Sequence, residues 1–151
     1  MSNLLQENKI VISDFFDDKG NLLISLISDN GNNNLEKLIK LLTEKVEEQN
    51  SYNKKKRKIN EPLKSNQLRK FYDSFNRIYN SKIEEQQKKV QLLMLKSNAE
   101  YSANRLTNKR FGIFLKNRIN IVLKKKEKEF EKYMEALKLH FEALVGYFPK
   151  N

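Results

Sequence analysis

The sequence predicts an all-α protein: a compact helical bundle of about four to five helices behind an N-terminal extension that is poorly structured or short-helical. Two observations carry this. From residue 65 onward, apolar side chains recur at i, i+3, i+4 and i+7 in one segment after another, which is the period of amphipathic helices and not of strands. The 151 residues match one ordinary domain, and 38% hydrophobic content with nine Phe and six Tyr suffices for one core.

Residues 1–60 read as an acidic extension. Asp17-Asp18-Lys19-Gly20-Asn21 is a turn signal between Ile10-Val11-Ile12 and Leu22-Leu23-Ile24. The flanks are expected to form short helical or irregular pieces, a hairpin being the alternative. A calcium loop counted from Asp14 fails, because Lys19 stands where the required Gly belongs. Asn33 and Asn34 can cap a helix expected over 35–49, with Leu35, Leu38, Ile39, Leu42 and Val46 on one face. Residues 51–64, with Lys54, Lys55, Lys56, Arg57 and Lys58 ahead of Pro62, lack apolar periodicity and read as a mobile basic linker.

Residues 65–151 are expected to form the basic bundle. Leu68, Phe71, Tyr72, Phe75, Ile78 and Tyr79 make the stripe of its first helix. A second helix is expected from near Lys82 to Asn98, with Ile83, Val90, Leu93, Met94 and Leu95 inward and a break where Ser97, Asn98 and Asn104 weaken it. A third covers roughly Asn108 to Lys126; it sets an oily arc against an arc of Lys109, Arg110, Lys116, Asn117, Asn120 and Lys124. Arg118 falls inside the oily arc, so it must pair, snorkel out or reach a ligand through a gap. The last helix carries Phe130, Tyr133, Met134, Leu137, Phe141, Leu144, Val145 and Phe148 until Pro149 stops it.

Charge narrows the function. The formal net charge is +11, and it is unevenly placed. Residues 1–50 hold five Lys against nine acids, residues 51–126 hold 21 Lys and Arg against five acids, and residues 127–151 hold four against five. Concentrated cations are the footprint of a polyanion binder, because each phosphate they neutralise releases counterions. Without Cys there is neither a disulfide nor a thiolate metal site, and a cytoplasmic, soluble protein outside any membrane is expected.

Catalysis finds little support. The single His140 sits beside the apolar stripe of the last helix and reads as structural. The four Gly cannot build a phosphate loop or a dinucleotide fingerprint. Acids in the basic segment (Glu61, Asp73, Glu84, Glu85, Glu100) form no metal constellation, so no cofactor and no enzyme activity is expected. A major-groove reader would need a recognition helix after a tight turn, and Gly112 lies inside a helical pattern instead. Phe71, Tyr72, Phe75 and Tyr79 share a core stripe, which leaves phosphate contacts from helix faces. A general nucleic-acid architectural protein or a helical scaffold is the alternative.

Three ordered segments resemble a known family. Leu68-Arg69-Lys70-Phe71-Tyr72-Asp73 is similar to the opening "LRKFYD" of the small subunit of type III-A CRISPR (Csm) effector complexes. Leu95 to Arg105 resembles its "LKPKLAYxxxR", and Phe141 to Phe148 its closing "FEAIVAYxK". The likeness covers residues 65–150. Ser97 stands where the family favours Pro, Asn98 and Glu100 stand at positions usually basic and small, and Gly146 replaces a usual Ala.

The resemblance implies a non-catalytic helical bundle whose copies stack along guide RNA and target RNA, beside backbone and large subunits that hold the complex's activities. The expected RNA-contact surface is Arg69, Lys70 and Arg77, then Lys96 and Arg105, then Lys109, Arg110, Lys116 and Arg118, with Lys54, Lys55, Lys56, Arg57 and Lys58 as an accessory.

Overall fold

The structure, a computed structural model, describes residues 4–49, 52 and 55–150. Four long helices form the body: α3 (Ser65–Asn80), α4 (Glu85–Leu106), α5 (Lys109–Leu123) and α6 (Glu127–Tyr147). Ahead of them come the single-turn α1 (Glu7–Ile10), a 3-10 turn at Ile24–Leu26, α2 (Leu35–Thr43), and an antiparallel hairpin of β1 (Val46–Gln49) and β2 (Lys56–Asn60). The expected all-α bundle is present, with one small ribbon added.

The N-terminal stretch is part of the core. Ile10, Phe15, Leu26, Leu35 and Leu42 are buried in the same cluster as Phe75, Phe114 and Phe141. Asp17 makes the expected turn, its carboxylate accepting from the Lys19 and Asn21 amides at 2.9 Å, with Gly20 at φ 81. A single bridge between Phe16 and Leu22 joins the flanks.

Asn34 caps α2 as expected, its side-chain oxygen accepting from the Lys37 amide at 3.0 Å. The helix expected over 35–49 stops at Thr43, however. Its last carbonyls are taken by distant donors: Leu41 by the Arg110 guanidinium (2.9 Å) and Leu42 by the Leu63 amide (3.0 Å). Those bonds satisfy the helix end and release the chain into β1. The run expected to be a mobile linker contains β2, whose Lys58 and Arg57 stand opposite Glu47 and Glu48. Cross-strand pairs of opposite charge stabilise such a ribbon without any apolar alternation.

In α3 the expected stripe is inside, with Leu68, Phe71, Phe75 and Ile78 buried. In α4 two expectations fail. The helix does not break near Asn98 but runs to Leu106, where Thr107 turns the chain at φ 59. Its buried residues are Leu92, Leu95, Ala99 and Ala103, while Val90, Leu93 and Met94 face outward. Small side chains bury here because α5 comes close: a Cβ placed on Gly112 would lie 2.8 Å from the Ala103 Cβ. Gly112→Ala is therefore expected to cost about 1–2 kcal/mol in urea unfolding, since the clashing atom sits directly on a helix backbone. Gly146→Ala, with nothing within 4 Å, should be neutral or slightly stabilising in the same measurement.

Candidate nucleic-acid interface

Two buried asparagines organise the basic surface. Asn108, at the start of α5, donates to the carbonyls of Glu61 (2.8 Å) and Pro62 (3.3 Å) and accepts from Gln67 Nε2 at 3.0 Å. The Glu61 amide in turn donates to the Thr107 carbonyl at 2.7 Å. Asn60 accepts from the Arg110 amide (3.0 Å) and donates to the Glu44 carbonyl (2.8 Å). These amides tie the β2–α3 connection to the α4–α5 turn.

The consequence is a convergence of cations from three parts of the chain. One cleft of about 370 Å³ is lined by Lys58, Lys64, Gln67 and Arg105. Beyond the same turn, a second of about 260 Å³ lies between α4 and α5 and is lined by Lys109, Lys116 and Asn104. Lys58, Lys64, Arg105, Lys109 and Lys116 are all exposed. Two carboxylates accompany them, Glu61 at 3.8 Å from Lys58 and Glu100 at 3.8 Å from Lys116. Such long, half-exposed pairs are weak and leave the cations able to exchange partners.

Other expected contacts lie elsewhere. Arg69, Lys70 and Arg77 are exposed on α3, where Arg77 donates to Ser74 Oγ at 3.0 Å. Lys96 is half-buried and donates to Asn120 Oδ1 at 2.9 Å. Lys55, Lys56 and Arg57 are exposed on the hairpin, Arg57 lying 3.7 Å from Glu48, while Lys54 lies outside the described residues. Lys64 was not among the expected contacts; its one sequence signal is a cation placed immediately before the first turn of α3.

Arg110 and Arg118 have to be removed from the contact surface, because both side chains are buried. Arg110 donates to Glu44 (2.7 Å) and to the carbonyls of Leu41 (2.9 Å) and Leu4 (3.0 Å). Arg118 donates to the Ile10 carbonyl and to Asn117 Oδ1 (2.7 Å), and it lies 4.5 Å over the Phe114 ring. Both are internal clamps that fix the N-terminal stretch and α2 onto α5. Neither guanidinium can reach a phosphate in this fold.

Arg118 is also bonded to His140, its Nε donating to His140 Nε2 at 3.2 Å. The other ring nitrogen, Nδ1, lies 2.6 Å from the Leu26 carbonyl and must donate to it, since a carbonyl only accepts. Burial and then the Arg118 charge pull His140 down to about 3, and burial pulls Arg118 down to about 9. At neutral pH the histidine is thus uncharged and Arg118 is protonated. His140 is structural, as the sequence suggested.

Among the described residues, no three or more of His, Asp and Glu come together to hold a metal ion. No described helix is long and apolar enough to cross a membrane. A family model described as Csm2 Type III-A matches residues 43–149, well over half of the chain, and that span includes the hairpin and, apart from Leu5, the lining of both clefts. No curated protein and no solved structure matches.

Proposed function

The chain belongs to the Csm2 Type III-A family, a small subunit of type III-A CRISPR effector complexes, and on that premise we propose that it grips the backbone of guide and target RNA without reading sequence. It does so in the cytoplasm as a non-catalytic subunit whose copies stack along the filament, beside the backbone and large subunits.

One observation carries the RNA reading. The Asn60 and Asn108 amides gather Lys58, Lys64, Arg105, Lys109 and Lys116 from β2, the β2–α3 connection, α4 and α5 around one turn. Phosphate is the matching ligand, because clustered Lys and Arg tips neutralise its charge, and contacts to phosphate carry no sequence information. The aromatic rings of α3 are no platform for bases: Phe71 and Phe75 are buried, and Tyr72 packs 5.5 Å from Phe141. The nearest acids, Glu61 and Glu100, each face a lysine, which supports binding without turnover.

If three to five phosphates are engaged, log affinity for single-stranded RNA should fall with log salt at a slope of roughly −2 to −3.5. Titrations at several salt concentrations test this. A slope near zero overturns the reading, and a preference for duplex DNA in competition would favour a general architectural protein instead.

A further inference from the structure

Residues 1–50 are acidic, with nine carboxylates against five lysines, yet three of those lysines converge. Lys9 comes from α1, Lys37 and Lys40 come from α2, and together they line a cleft of about 400 Å³. All three are exposed, and none of their ammonium groups has an ion-pair or hydrogen-bond partner among the described residues. One acid lines the cleft, Glu44, and its carboxylate already accepts from Arg110 at 2.7 Å. Arg110 thus adds a buried positive charge behind this wall; it also donates to the carbonyl of Leu41, another lining residue, and its Nε has no partner.

Gathering like charges costs energy. Lys37 and Lys40 lie one turn apart on α2, a spacing at which like charges repel, and Lys9 brings a third cation from a distant part of the chain. The clefts around the α4–α5 turn differ, since Lys58 and Lys116 there each face a carboxylate. The backbone at this cleft is also held against its preference: Gln6 and Asn33, which line it, stand at φ 51 and φ 52, in the left-handed region that side chains disfavour. Such strain concentrates where ligands are clamped, and a bound anion would offset the repulsion among the lysines.

No described aromatic ring lines the cleft, so it offers a base nothing to stack on. Its ammonium and amide groups match a ligand that packs several negative charges and many acceptor oxygens into a small volume. A phosphodiester strand spreads its charges out, one to each nucleotide, whereas linked phosphates set them on neighbouring phosphorus atoms. We propose that this cleft binds an oligophosphate group, two or three phosphates long, through Lys9, Lys37 and Lys40. All of its lining except Glu44 lies ahead of the residues that the family model matches, so the site belongs to the N-terminal part of this chain and not to the body common to the family. It shares no residue with either RNA cleft and does not rest on RNA binding.

Titration calorimetry of the nuclease-treated full chain with inorganic pyrophosphate tests it. The expected result is one site per chain with a dissociation constant below about 1 mM, and much weaker binding of sulfate at matched ionic strength. Lys37→Gln with Lys40→Gln should weaken pyrophosphate binding by at least about 10-fold. Helical circular dichroism should not change, since both side chains are exposed and the α2 cap uses only the backbone amide of Lys37. Replacing Lys58, Lys64, Arg105 and Lys109 by Ala should leave pyrophosphate binding intact. Two further arms show what carries the group: ATP binding as tightly as pyrophosphate assigns the site to a nucleotide, and a 5′-triphosphate RNA binding more tightly than its 5′-hydroxyl form, by a margin that the α2 lysine variant abolishes, assigns it to an RNA end. Absence of pyrophosphate binding, sulfate binding equally well, or binding undiminished in the α2 lysine variant overturns the proposal and leaves the RNA reading untouched.

Discussion

Replacing Lys58, Lys64, Arg105 and Lys109 together by Ala is expected to lower affinity for single-stranded RNA about 100-fold near 0.1 M salt, leaving a salt slope shallower than about −1. Each phosphate contact on a single strand contributes about 0.7 to that slope, so four lost contacts remove most of it. The four side chains are exposed, and the hydrogen bonds that shape the clefts belong to Asn60, Asn108 and Gln67, so the fold should survive. Filter binding or fluorescence anisotropy with an unstructured RNA reads the affinity, and circular dichroism checks the helices. Arg69, Lys70 and Arg77 provide the comparison. They lie on α3 away from the clefts, and if their triple Ala variant loses more affinity than the cleft variant, α3 is the contact face.

The choice of residues differs from what the sequence offers, and the reason is geometric. Helical angles place Arg110 on the polar arc of α5, yet the end of α2 and the Leu4 carbonyl cover it from distant parts of the chain. Arg118 stood in the oily arc, a real warning of burial, but besides the adjacent Asn117 the partners that accept its protons, Ile10 and His140, are 108 and 22 residues away. In α3 and α6 one face is apolar, so period alone orients them correctly. In α4 two faces are apolar, and Ala99 and Ala103, short enough to let Gly112 approach, win the interior from larger Val90, Leu93 and Met94. Volume at a helix crossing decided that register, and a hydropathy pattern does not contain it. The hairpin was hidden for another reason: it pairs charges across strands, so its sequence looks like a solvated linker.

Acidification from pH 7 to pH 5 is expected to remove about 2 kcal/mol of stability, and about 3 kcal/mol by pH 4, through His140 alone. Its ordinary value is 6.5 and its native value is about 3, so between those limits the unfolded chain binds a proton that the native chain refuses. Stability from this group is therefore complete above about pH 6.5, declines as pH falls, and is exhausted near 3. The refusal is structural. A proton on Nε2 would point at the Arg118 Nε–H, donor against donor, and would place a second cation beside a buried one in a pocket of Phe15 and Phe114 rings. Urea unfolding at pH 7, 6 and 5 measures the loss. Because His140 is the one histidine of the chain, His140→Gln should unfold more easily at pH 7 yet show little further loss between pH 6.5 and 5. A wild-type slope surviving in that variant would place the acid sensitivity elsewhere. Since the Leu26 and Ile10 carbonyls hang on this pair, the first segment to loosen in acid should be residues 10–26, visible as early loss of amide exchange protection there.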